Sequence, residues 1–145
     1  MAALSSDRNT PLSSGDLRSG AVAASQLIYA GAIVMRNAAG FLVKGSTATG
    51  LIGVCCAEHR ADNASGSAGD MQLRYRPGVY QFANSASTDE ITAADIGALC
   101  YVVDDQTVAK TAATATRSPA GFVEDVDEQG VWVRFDAALT RTAIL

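Results

Sequence analysis

The sequence predicts an all-β domain, a barrel or a sandwich, on three observations. Short apolar or alternating runs recur from residue 21 onward, at 28–35, 41–44, 51–57, 71–76, 79–83, 99–103, 121–126 and 131–135, separated by turn residues. In the last run Val131, Val133 and Phe135 alternate with Trp132 and Arg134, the period of a strand with one buried face. Helical signal is confined to one short piece, residues 92–97.

At 145 residues the chain fits one domain. With 48% hydrophobic and 18% charged residues it has enough apolar material to fold. Aromatics make up only 6%, so the core must be filled by small side chains, and docking against other subunits would add burial.

Taken in order, residues 1–20 are rich in Ser, Asp, Arg, Gly and Pro, with only Leu4, Leu12 and Leu17 as isolated apolar points. They read as an extended N-terminal arm preceding a β-rich domain at 21–145. Two readings of the arm stay open: a terminus without fixed structure, or a segment that orders on a partner's surface. The runs at 28–35 and 41–44 flank Asn37-Ala38-Ala39-Gly40, a hairpin loop whose glycine can take a positive φ. Residues 61–69 and 84–88 read as loops. Pro77-Gly78 should turn or bulge the chain between two strands.

In the helical piece Thr92 can cap the start, Asp95 suits the first turn and Gly97 can end it. Residues 112–116 read as a linker, and 127–130 as the turn of a final hairpin. Trp132, on the face opposite the expected core, either packs under a loop of its own chain or marks a subunit contact.

A net charge of −4 and a pI near 4.8 argue against nucleic-acid binding, which needs a basic face. Arg74 and Arg76 share one face of their strand and read as a solvated edge. The first twenty residues carry charges and no apolar run, so no secretory signal is expected. The apolar stretch at 21–35 is broken by Ser25, Gln26 and Gly31, so no membrane-spanning helix is expected.

Chemistry has little material. Cys55 and Cys56 are adjacent and point to opposite faces of a strand, Cys100 stands apart, and His59 is the single imidazole. The cysteines read as small buried apolar residues, and reduced thiols suit synthesis in a cytoplasm. Asp104-Asp105 and the acids Glu124, Asp125, Asp127 and Glu128 have no calcium-loop spacing and read as turn formers. No nucleophile, phosphate-loop or zinc-protease motif is present. The expectation is therefore no catalytic residue, no metal, no cofactor and no small-molecule substrate.

The stretch 99–135, LCYVVDDQTVAKTAATATRSPAGFVEDVDEQGVWVRF, resembles the head decoration, or capsid cement, proteins of tailed bacteriophages. The likeness lies in the acidic turn after a strand, the segment Gln106-Thr107-Val108, the strand Pro119-Ala120-Gly121-Phe122-Val123 and the hairpin Glu128-Gln129-Gly130-Val131-Trp132-Val133. It extends back through Asn37-Ala38-Ala39-Gly40 and Gly50-Leu51-Ile52-Gly53-Val54, covering residues 19–136. The resemblance implies a small β-barrel or β-tulip-like domain that sits on the exterior of an icosahedral capsid as a trimer. It also implies that the domain binds the major capsid protein and stabilises the shell, after synthesis in the host bacterial cytoplasm. No catalytic residue comes with it, and the tail at 136–145 has no counterpart. The contact residues expected on this reading are Leu4, Pro11, Leu12, Leu17 and Trp132. The residues also leave room for a tail-tube or head–tail joining subunit. A small carbohydrate-binding module is a further alternative, built on Tyr29, Tyr75, Tyr80 and Trp132.

Overall fold

The computed structural model describes residues 2–145. Twelve strands run in chain order: β1 (Arg18–Ala21), β2 (Gln26–Ile28), β3 (Ile33–Arg36), β4 (Leu42–Lys44), β5 (Ile52–Ala57), β6 (Ala61–Asn63), β7 (Gln72–Arg76), β8 (Val79–Phe82), β9 (Leu99–Val102), β10 (Val108–Ala109), β11 (Pro119–Asp127) and β12 (Gly130–Arg134). A single α-helix, α1 (Ala137–Ala143), follows. The all-β expectation holds.

The strands form two antiparallel five-stranded sheets, ordered β1-β7-β5-β3-β4 and β10-β9-β11-β12-β8, and a separate β2-β6 ribbon. Each large sheet rolls until its edges meet at one point. In the first, Val22 bridges Leu42, and the Ala23 N–H donates to the Leu42 carbonyl at 2.9 Å. In the second, Ala83 bridges Thr107, with Ala83 N–H to Gln106 O at 2.8 Å and Val108 N–H to Ala83 O at 3.0 Å. One bridge is not a ladder, so neither sheet closes, and the expected barrel is replaced by two rolled, open sheets.

Two cores result. One lies between the sheets and gathers Phe82, Ile91, Cys100, Val102, Val131, Val133 and Phe135 with Ile33 and Met35 of the first sheet. The other lies on the opposite face of the first sheet and holds Val22, Ile28, Val34, Leu42, Cys55, Leu73 and Tyr75. The central strands β3 and β5 of the first sheet are buried on both faces, which explains why 33–35 reads as an unbroken apolar run. Each fully buried Val, Leu or Ile contributes about 1.5–3 kcal/mol.

The sheets touch most closely at Gly53. A side chain there would meet the backbone carbonyl, C and Cα of Ala120 on β11. The ladder between β3 and β5 shifts register beside it, between Val34 and Met35. The two expected hairpins form. In the first, Asn37 N–H donates to Phe41 O at 2.9 Å and Gly40 adopts φ 90°. In the second, Asp127 pairs with Gly130.

Several expectations are corrected. β1 begins at Arg18, inside the stretch read as an arm, because Gly20 packs against Leu42 and the strand pairs with β7. The run at 28–35 is broken by a turn at Gly31 (φ 85°). Within 61–69, read as loop, Ala61–Asn63 is a strand: Ala61 and Asn63 are buried, and the Asn63 amide donates to Ala23 O and Ser67 O, both at 2.9 Å. Pro77-Gly78 does lie between two strands, as expected, and the structure adds that the two are not paired with each other. β7 lies in the first sheet and β8 in the second, so it is the crossover between them.

The helical piece shrinks to a 3-10 turn at Ala93–Asp95, where the Asp95 carboxylate accepts the Thr92 N–H at 2.8 Å. The tail at 136–145 holds α1, capped by the Asp136 carboxylate, which accepts the Leu139 N–H at 3.0 Å.

Candidate functional site

The residues singled out for chemistry are not brought together. Cys55 is buried in the second core, whereas Cys56 packs against the first. Burial, then the neighbouring Cys56 sulfur, pushes the Cys55 thiol far above its ordinary value; burial raises Cys56, and Cys100 is pushed up to about 12. Such thiols are poor nucleophiles at neutral pH. Both nitrogens of His59 are engaged by backbone: Nε2 accepts the Arg74 N–H at 3.1 Å, which leaves the proton on Nδ1 to donate to Arg60 O, also at 3.1 Å. His59 fastens the strand edge. Among the described residues no three His, Cys, Asp or Glu side chains are grouped to hold a metal ion. No helix among them is long and apolar enough to cross a membrane.

The three tyrosines and one tryptophan that a carbohydrate module would use are dispersed. Tyr75 is buried in the second core, with its hydroxyl accepting from Arg36 at 2.9 Å. Tyr29 is exposed and lies under the Arg60 guanidinium, and Tyr80 packs against Phe135. Trp132 is half-buried, and its indole N–H donates to Asp127 at 2.9 Å. The same carboxylate accepts from Gln81 (2.8 Å), Gln129 N–H (2.8 Å) and Gly130 N–H (3.2 Å). These bonds, with the indole's the largest, hold the Asp127 carboxyl below its ordinary value against the opposing effect of desolvation. Trp132 is thus held down on its own hairpin.

Two features stand out on the surface. The first is the arm. From Ala2 to Leu17 every residue is exposed, and Leu4 and Leu12 present 74% and 90% of their surface to solvent. Leu17 is 44% exposed, at the point where the arm joins β1. Its tethers are few: Arg18 donates to Gly15 O at 3.0 Å, and Asp16 pairs with Arg76 at 3.3 Å.

The second is an apolar groove of ≈ 540 Å³ between the β3–β4 hairpin, the start of β5, the segment before β11 and the end of α1. Leu51, Tyr101, Pro119 and Ile144 give it its apolar lining, and Arg117 and Arg141 its charge. One wall, read from sequence as a linker, is unusual in its backbone. Ala113, Thr114 and Ala115 adopt φ 48°, 59° and 61° in succession, a left-handed turn made without glycine. Such a turn costs about 1–2 kcal/mol per residue and persists only when its surroundings enforce it. Here Thr116 N–H and Arg117 N–H both donate to Ala112 O, at 2.9 and 3.1 Å. Arg117 also reaches Thr111 O and the Asp89 carboxylate, each at 3.1 Å, and the Thr111 hydroxyl donates to Asp89 at 2.6 Å. The Thr111 bond first, then Arg117, holds the Asp89 carboxyl below its ordinary value. Arg117 is anchored by this network, whereas Arg141 makes no ion pair among the described residues.

Sequence reading missed the groove. Its lining comes from five separate stretches, and nothing in Ala112-Ala113-Thr114-Ala115-Thr116 signals a left-handed turn. Asp136 three residues before Leu139 was the one available sign of α1.

Fold and surface together define a class: an all-β domain that carries an exposed apolar-studded arm and an open apolar groove. Compared with known proteins, the chain matches no family model, no curated protein and no solved structure.

Proposed function

We propose that this chain is a structural virion protein, a head decoration or cement subunit that binds the outside of an icosahedral bacteriophage capsid and stabilises it. The observation that carries the reading is the arm. An extended segment keeps Leu4 and Leu12 in water, joined to a body held by two cores, and covering each of them against a partner would gain about 1.5–3 kcal/mol. Weak contacts of this kind multiply over a symmetric lattice. The resemblance of residues 99–135 to the capsid cement family supports the same reading, as do the free thiols Cys55, Cys56 and Cys100 for synthesis in the host bacterial cytoplasm.

On this reading the body is a β-tulip-like domain that trimerises on the major capsid protein at the capsid exterior. The interaction is protein on protein; nucleic acid, membrane, cofactor and small-molecule substrate have no part in it, and the protein is not an enzyme.

The test is a cryo-electron microscopy map of native particles, in which the protein should form protrusions at fixed lattice positions on the shell. Density in the tail or connector would overturn the reading. Its companion is deletion of the arm, ending at Leu17 because Arg18–Ala21 is β1. The truncated chain should keep the melting temperature of the parent and fail to coat shells; unchanged coating would overturn the role given to the arm.

A further inference from the structure

The arm and the groove are both unpartnered, and they have matching chemistry. The groove offers an apolar floor with Arg141 in its lining, in no ion pair among the described residues. The arm offers Pro11-Leu12, with Leu12 the most exposed of its three leucines, and Asp7 five residues upstream. Asp7 is the arm carboxylate free to meet a cation, since Asp16 is engaged by Arg76. Pro11 fixes its own φ and biases Thr10 towards extended backbone, so the segment is preorganised to lie along a groove. At ≈ 540 Å³ the groove takes a few residues, not the whole arm.

The chain's own arm does not use this site. Residues 2–17 are exposed, Asp16 alone among them forming an ion pair with the body, and Leu12 is 90% exposed while the groove of the same chain is open. Fully extended, sixteen residues span about 50 Å, which is ample to cross to a neighbouring molecule. We propose that the groove lined by Leu51, Tyr101, Pro119 and Ile144 receives Pro11-Leu12 of the arm from a second copy of this chain, with Asp7 opposite Arg141. The contact is heterologous, arm to groove, so three copies can close a ring in which every arm and every groove is filled. The enforced left-handed turn at 113–115 keeps one wall in place before the arm arrives, which lowers the ordering cost of docking.

The inference stands on the arm and the groove, and is tested on purified protein without shells, so its failure and that of the capsid reading are distinguishable. Sedimentation of the full chain over a concentration series should show self-association. Leu12→Asp, on a side chain that touches no core, should weaken it about a hundredfold. Ala38→Trp, at an exposed hairpin position lining the groove, should do the same by filling the site; Ile144→Asp serves if that variant melts early. The two variants mixed should then form a 1:1 complex, one supplying the arm and the other the groove. A monomeric full chain, association indifferent to Leu12→Asp, or a mixture that stays monomeric would each overturn the proposal.

Discussion

Substituting Gly53 by alanine tests the contact that joins the two sheets. Gly53 lies in β5, a central strand bonded to β3 and β7, and its Cα faces the backbone of Ala120 in β11. A methyl group there falls inside van der Waals contact with the Ala120 carbonyl oxygen, the carbonyl carbon and Cα. Neither strand can yield cheaply, because β11 is itself held between β9 and β12. Overpacking of this kind costs about 1–3 kcal/mol, and a clash against backbone belongs at the upper end. For a chain of this size about 3 kcal/mol lowers the melting temperature by about 6–12 °C. Gly20→Ala is the matched control, since the added methyl meets side chains and no backbone: Leu42 Cδ1 at 2.8 Å and Cγ at 3.1 Å, and Tyr75 Cε1 at 3.5 Å. It should cost clearly less. Ala120→Gly should fail to rescue Gly53→Ala, because the obstruction is main chain and survives loss of the Ala120 methyl. The assay is thermal unfolding followed by circular dichroism. If Gly53→Ala melts within 2 °C of the parent, or Ala120→Gly restores it, the backbone contact between the sheets is refuted; the 2 °C limit is roughly the shift from 0.5–1 kcal/mol.

Two further predictions concern the surface. The Asp127 carboxyl is held below its ordinary value, so its contribution is present above the unfolded carboxylate's 3.8 and is lost as the pH falls through the lower folded value. Fluorescence of Trp132, the single tryptophan, should therefore change below pH 3.8, and Asp127→Asn should abolish that transition; an identical titration in the variant would refute the assignment. In the groove wall, Ala115→Gly removes about 1–2 kcal/mol of left-handed strain and adds about 0.5–1 kcal/mol of unfolded-chain entropy. Thermal unfolding should show the variant as stable as the parent or up to about 1.5 kcal/mol more so, and a loss of stability would contradict the strain at 113–115.

Much of the architecture was legible in the chain because it is set by local rules. Period-two alternation at 131–135 put Val131, Val133 and Phe135 in the core, all at 3% exposure or less. Asn37 to Gly40 and Asp127 to Gly130 announced their hairpins through turn chemistry that acts over four residues. The adjacency of Cys55 and Cys56 separated them onto opposite faces of one strand, and the structure places them against different cores.

What tertiary structure alone decided involves partners far apart in sequence. Ala61-Asp62-Asn63 has loop composition, yet it is a strand because it pairs with Gln26–Ile28 of β2 and the Asn63 amide finds the carbonyl of Ala23. Pro77-Gly78 reads as a tight turn in either case, and only the pairing of β7 with β1 and β5, and of β8 with β12, makes it a passage between sheets. The groove depends on side chains from five stretches and on a left-handed turn enforced by Asp89, more than twenty residues upstream. Local pattern determined which residues form strands and which faces they bury. Which strands meet, how far each sheet rolls and where the surface opens were decided by long-range pairing, because sheet order and curvature follow from contacts that no short window of sequence contains.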